Sequence, residues 1–188
     1  MARERKFSTA ELFRETKRIL LVRGYDAFTF SRLAEQLNVS RGTIYKYYEN
    51  KDELITSYMI YEMKQFLVHL NEIERRKGFF AQFDFLLDLL FQNNNIDQLI
   101  EIGRQISAST KKVKENKEEL RKLHLKIYDR LHQWIQLGRK EGVLKEEIPD
   151  ELILGFIFQS VAIPHREIPC EKWVKSIKEM ICYGMVKH

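Results

Sequence analysis

Ser31-Arg32-Leu33-Ala34-Glu35-Gln36-Leu37-Asn38-Val39-Ser40-Arg41-Gly42-Thr43-Ile44-Tyr45-Lys46-Tyr47-Tyr48 is the stretch on which the reading of this chain turns. Its pattern predicts two short helices, about Ser31 to Leu37 and about Arg41 to Tyr48, broken at Asn38-Val39-Ser40. Leu33, Leu37, Val39 and Ile44 form the buried side that sets the angle between them. Helices that cross closely need a small residue where the backbones meet, and Ala34 is suitable. The bend needs a residue that tolerates positive φ, and Asn38 is the best choice after glycine. The other side of the second helix is polar: Ser40, Arg41, Thr43, Lys46 and Tyr47. This is the pattern of a helix-turn-helix, whose second helix lies in the major groove of DNA with its leading residues at base edges. Gly42 costs helix stability, so it has a reason to be there. Close approach of the backbone to DNA is one; packing economy is the other.

The charge distribution points the same way. Residues 1–51 hold eleven Lys and Arg against six Asp and Glu, while the rest of the 188 residues balance at twenty-one of each. The entire surplus of five positive charges sits in the first quarter, as expected of a polyanion-facing module on a neutral body. Arg3-Glu4-Arg5-Lys6 reads as a tail or as an arm for a minor groove.

Around that centre the chain reads as all-α, with about nine helices. Ser8 or Thr9 caps a first helix that Gly24 ends. A fourth opens near Lys51-Asp52-Glu53 and runs to about Arg75. Further helices are expected over Phe79–Phe91, with a break at Asn93-Asn94-Asn95, and over Ile96–Ser109. Lys112–Lys140 is amphipathic, with its end loosened by Gly138 and Gly142. Asp150–Ala162 is stopped by Pro164, and Cys170–Val186 is the last. With 8 Gly, 3 Pro and helix formers dominant, no strand is expected.

Gly24-Tyr25-Asp26-Ala27-Phe28-Thr29-Phe30-Ser31-Arg32-Leu33-Ala34, then Val39-Ser40-Arg41-Gly42-Thr43-Ile44-Tyr45-Lys46-Tyr47-Tyr48, then Lys51-Asp52-Glu53-Leu54 closely resembles the signature of the tetracycline-repressor (TetR) family. The resemblance covers about residues 8–55. A weaker echo lies at Gly138, Gly142 and Leu144, followed by Pro149-Asp150, similar to that family's approach to its first dimerisation helix. The resemblance implies an N-terminal three-helix DNA-binding domain over 1–51 and a helical effector-binding and dimerisation domain over 52–188. It implies a cytoplasmic, bacterial, homodimeric regulator that binds a pseudo-palindromic operator in double-stranded DNA, a repressor released by a small, largely apolar molecule. Carried onto this sequence, Ser40, Arg41, Gly42 and Thr43 face bases or nearby phosphates, with Arg41 the candidate for a bidentate guanine contact. Tyr45, Lys46 and Tyr47 hold phosphates. Thr29, capping the second helix, and Lys51, opening the fourth, clamp the backbone. Ser31 and Arg32 belong to the same surface, although Arg32 has a second reading as a partner of Glu35 across one turn. Tyr45 and Tyr48 have one as core. Asn38 stands where the family more often has Gly, Tyr48 where it has Phe, and Leu20 where an aromatic is common.

In the body, the helix at 150–162 is apolar nearly all round and wants a second burial partner. Leu152, Ile153, Phe156, Ile157 and Val161, with Trp173, Ile177, Met180, Ile181 and Gly184 from the last helix, are the expected interface of a four-helix bundle across a two-fold axis. Tyr58, Tyr61, Phe66, Phe83, Phe91, His124, Tyr128, Trp134, Phe156 and Gln159 are the expected lining of an effector pocket; the alternative for each is ordinary core. The same fold controlled by a protein partner is the second functional reading. An enzyme is a distant third: no Gly-rich phosphate loop or nucleophile motif occurs, and no catalytic residue is assigned. No cofactor is expected. The five His lack metal-ligand spacing, Cys170 and Cys182 form no CxxC, and no apolar run is long enough for a membrane.

Overall fold

The computed structural model describes residues 7–92, 96–163 and 168–186. Nine α-helices run through them: α1 Thr9–Arg23, α2 Phe30–Gln36, α3 Arg41–Tyr45, α4 Lys51–Leu70, α5 Phe79–Gln92, α6 Ile96–Gln105, α7 Lys111–Lys140, α8 Asp150–Ser160 and α9 Cys170–Met185. A 3-10 turn over Asn71–Arg75 follows α4. Among the described residues there is no strand, only an isolated antiparallel bridge between Leu144 and Val186. The all-α expectation holds, with a helix-turn-helix at the N-terminal end and a helical C-terminal part. The expected breaks at 93–95 and Pro164, and the arm at 3–6, lie outside the described residues.

Several boundaries differ from the sequence reading for local reasons. The α4 pattern was expected to continue to Arg75, but the chain tightens after Leu70. At three residues per turn Ile73 falls directly beneath Leu70, so both are buried. α3 ends at Tyr45, where the amides of Tyr47 and Tyr48 both return to the Ile44 carbonyl. α6 stops at Gln105. Gly138 does not loosen α7: it sits within the helix. A Cβ there would lie 2.5 Å from the Phe79 ring and 2.8 Å from Leu144. Its missing side chain is what lets Phe79 pack. The helix ends two residues on, and Gly142 turns the chain at φ 69°.

The chain forms two compact units. The first comprises residues up to Met63 together with Gln98–Lys122; the second comprises Lys64–Asp97 and the chain from Leu123 onward. In the first, Ser8 caps α1 with Glu11 in a reciprocal capping box, Ser8 N to Glu11 Oε2 being 2.7 Å and Glu11 N to Ser8 Oγ 3.1 Å. The hydrogen bonds from the Ser8 backbone and hydroxyl hold the Glu11 carboxyl below its usual range. Leu12, Phe13, Ile19, Leu20, Phe28, Leu33 and Ile44 join Leu54, Ile55, Tyr58 and Val113 in one apolar core. Burying each such side chain contributes about 1.5–3 kcal/mol.

The second unit is built on a stack of rings. Trp134 lies 4.7 Å from Phe79 and 5.5 Å from Phe83, nearly parallel to both, and donates its indole N–H to the Phe79 carbonyl. Arg139 at the end of α7 donates to the carbonyls of Lys145, Glu146 and Ile148 and to Asp150, so a single guanidinium fixes the loop into α8.

Candidate nucleic-acid interface

The bend between α2 and α3 closes as a Schellman motif. The Val39 amide donates to the Ala34 carbonyl at 2.9 Å and the Asn38 amide to Glu35 at 3.1 Å. Asn38 takes φ 51°, the one positive φ on a non-glycine residue among those described. Thr29 caps α2 by accepting from the Arg32 amide at 3.3 Å. Leu33 and Ile44 are fully buried, Ala34 nearly so, and Leu37 and Val39 pack on them half-buried. The apolar side of both helices is therefore inside, and the remaining side of α3 faces out.

Ser40, Arg41, Gly42, Tyr45 and Lys46 are exposed and Thr43 is half-exposed. The hydroxyls of Ser40 and Thr43 bond each other at 2.9 Å. Arg41 Nη2 donates to the Tyr45 hydroxyl at 2.7 Å, and its guanidinium carbon stands 5.1 Å from the centre of that ring. Tyr45 in turn sets its ring edge-on to buried Phe30, 4.9 Å away. Arg41 is thus held on an aromatic support anchored in the core. A Cβ on Gly42 would meet only Ser40 Oγ, at 3.9 Å. Internal packing therefore gives no reason for that glycine.

Flanking residues fall into place around this helix. Ser31 is exposed, and Arg32 is exposed and donates to the Ala27 carbonyl. Tyr47 is half-buried with its ring edge-on to Phe7 at 5.7 Å, and Tyr48 is half-buried. The Lys51 ammonium donates to the Tyr25 carbonyl at 3.0 Å and lies 3.8 Å over that residue's ring. Tyr25 returns the link by donating its hydroxyl to Asp52 Oδ1 at 2.6 Å. Burial, and then that bond to Asp52, push the Tyr25 hydroxyl well above the ordinary phenol range. The sequence reading missed the Tyr25–Asp52 pair, which no local periodicity announces.

The residues expected at an effector pocket divide between the two units. In the first unit Tyr58 is fully buried and Tyr61 packs 5.2 Å from Phe13. In the second, Phe83 and Trp134 belong to the ring stack. His124 meets Tyr128, which stacks on Phe158, while Phe66 is half-buried and Gln159 exposed. Phe91 lines an open cleft of about 410 Å³ between α5 and α9, with Leu87, Val174 and the Lys178–Asp84 ion pair.

The expected interface residues divide by face. Ile153, Ile157 and Ile177 are buried within the second unit, and Val161, Trp173 and Ile181 are half-buried. Leu152, Phe156 and Met180 point outward, exposed by 49%, 64% and 74%. Gly184 is exposed, and neighbouring Tyr183, absent from the expected set, is as open as Phe156.

Residues 11–58 match the family model of bacterial regulatory proteins of the tetR family. An uncharacterized HTH-type transcriptional regulator of Haemophilus influenzae is 34% identical over 83 residues, which span 43% of this chain and 44% of that protein. The fatty acid metabolism regulator protein of Bacillus subtilis is 26% identical over 149 residues, 76% of each chain. The crystal structure of FadR from Bacillus subtilis in complex with stearoyl-CoA has the same fold, with a TM-score of 0.72 at 18% identity over 94% of this chain and 99% of that one. Reading head and relatives together define a helix-turn-helix, DNA-binding transcriptional regulator. Within that class, residues 11–58 are similar to the DNA-binding part of the tetR family.

Proposed function

We propose that the protein is a homodimeric repressor of the bacterial cytoplasm, bound to a pseudo-palindromic operator and released by a small, largely apolar effector. The observation that carries the reading is the outward face of α3, where Arg41 is propped on Tyr45 above the Asn38 bend. An arginine so held suits a bidentate contact to the edge of a guanine, and Thr43 and Ser40 suit bases or phosphates beside it. Gly42, free of any internal role, suits close approach of the backbone. Thr29, Ser31, Arg32, Tyr45, Lys46 and Tyr47 flank this centre as phosphate contacts. Lys51 acts through its field and through its hold on Tyr25, since its ammonium is already engaged.

Dimerisation rests on the exposed apolar side chains of α8 and α9. A second copy that covers Leu152, Phe156 and Met180 removes them from water and sets two α3 helices about one turn of DNA apart, roughly 35 Å. For the effector we favour the fatty-acyl class, because the relative named for fatty acid metabolism aligns along three quarters of this chain and the FadR structure of the same fold holds stearoyl-CoA.

The test is to select bound duplexes from a random pool and then titrate stearoyl-CoA against the complex. The expected result is an inverted-repeat sequence, two chains per site, and release by the acyl thioester. Recovery of no common sequence would refute the DNA-reading role. Selective binding without release by any acyl probe would move the proposal to control by a protein partner.

A further inference from the structure

Asn116 is the residue of α7 that its sequence least explains. It stands among Lys112, Lys114, Glu115, Lys117 and Glu118, yet is only 3% exposed. With Val113 it faces the core of the first unit. All the hydrogen bonds of its side-chain amide run to α4. Nδ2 donates to Thr56 Oγ1 at 2.9 Å, to Ser57 Oγ at 3.2 Å and to the Glu53 carbonyl at 3.4 Å, two hydrogens shared among three oxygens.

The Thr56 hydroxyl, itself buried, accepts from Asn116 and donates a hydrogen bond to the Asp52 carbonyl at 2.7 Å. One residue's backbone and side chain then turn the chain of bonds toward the reading head, because the Asp52 carboxylate accepts from Tyr25 at 2.6 Å. The Tyr25 carbonyl accepts from Lys51 and from the Phe28 amide, at the entry to α2. Hydrogen bonds, linked through the covalent frames of Asp52 and Tyr25, thus join α7 to the loop that sets α2, and α2 sets α3 through the Asn38 bend.

Buried polar networks of this kind, when satisfied, specify a single arrangement more narrowly than apolar contacts do. From that difference we infer that Asn116 is a positioning residue for DNA recognition: through Thr56 and Asp52 it fixes the first turn of α4, and with it the register of Tyr25 and the α2–α3 pair. The inference rests on α3 as the DNA-reading helix. It assigns α7 a part in base selection exerted through α4 and the α2–α3 pair.

The experiment compares the parent with N116L, which replaces the amide by an apolar group of similar size, and with T56V, which removes the middle hydroxyl. Binding is measured to a duplex selected from a random pool by the parent and to a random-sequence duplex of equal length. N116L is expected to lose about tenfold in affinity for the selected duplex and less than twofold for the random one, with the fold intact by circular dichroism. Adding T56V to N116L should cost less than a further twofold, since both cut the same path. If N116L does not fold, T56V alone carries the test with the same expected split. Selected-duplex affinity within twofold of the parent, or equal losses on both duplexes, would overturn the inference and leave Asn116 an ordinary core staple. Absence of any preference for the selected duplex in the parent would instead sink the reading of α3.

Discussion

α3 and α8 are short helices that each bury one face and expose large side chains on the other, yet their exposed faces differ in chemistry. On α3 the outward groups are hydroxyls, a guanidinium and an ammonium, ordered by one another: Ser40 with Thr43, and Arg41 with Tyr45. On α8 they are Leu152 and Phe156, continued on α9 by Met180 and Tyr183. The first surface is at ease in water and gains by meeting phosphates and base edges. The second gains by leaving water, which is why we propose it as the face that a second copy covers. Exposure alone therefore says little about function; what distinguishes the two helices is which partner lowers the free energy of the exposed groups.

The largest expected effect lies on the α8 side. The double substitution Leu152→Glu with Phe156→Glu should turn a dimer into a monomer in sedimentation. Operator affinity should fall by about a hundredfold or more, because two linked reading heads become one. A dimer that persists would break the contrast. On the α3 side, Asn38→Val places a β-branched side chain at positive φ and should cost about 1–2 kcal/mol in urea unfolding. Asn38→Gly should be neutral or better. Next in size, Lys46→Ala should weaken selected and random duplexes alike by severalfold and reduce the slope of log affinity against log salt by about one. A loss confined to the selected duplex would move Lys46 from phosphates to bases.

The smallest effect concerns the entry to α8. Burial raises the Asp150 carboxyl, but the hydrogen bonds and charge of Arg139, and then of His132 at 3.0 Å, more than offset it and hold it below its ordinary 3.8. A carboxyl lowered by folding stabilises when ionised. Its contribution is complete above that ordinary value and is lost as pH falls below it toward the lowered one. Because the site is partly exposed, the amount is under about 1 kcal/mol. Stability measured from pH 5 down to 2 should fall less steeply in Asp150→Asn than in the parent; parallel curves would remove Asp150 from the account.

Much of this was legible in the sequence where a single position imposes a local requirement. Asn38 announced the positive φ, Ala34 the close crossing, Thr29 the cap and Gly24 the stop. α8 reads as apolar on more sides than one core can use, and the structure separates Ile153 and Ile157 inside from Leu152 and Phe156 outside. Aromatic spacing left the pocket and the core readings open, because it does not distinguish a ring that lines a cavity from one that fills a stack, as Phe83 and Trp134 do. Contacts distant in sequence were not legible either. Tyr25 with Asp52, Asn116 with Thr56, and Gly138 beneath Phe79 depend on which helix packs where. The lone Asn on the buried stripe of a Lys- and Glu-rich helix was the one available hint.

The role we propose for Arg41 is to read sequence and not merely to add charge. The most direct measurement is the ratio of affinities for the selected and random duplexes, taken for the parent and for Arg41→Ala at one salt concentration. We expect the ratio to fall by about 10- to 100-fold, chiefly through the selected duplex. An unchanged ratio, with both affinities lowered together, would contradict the account.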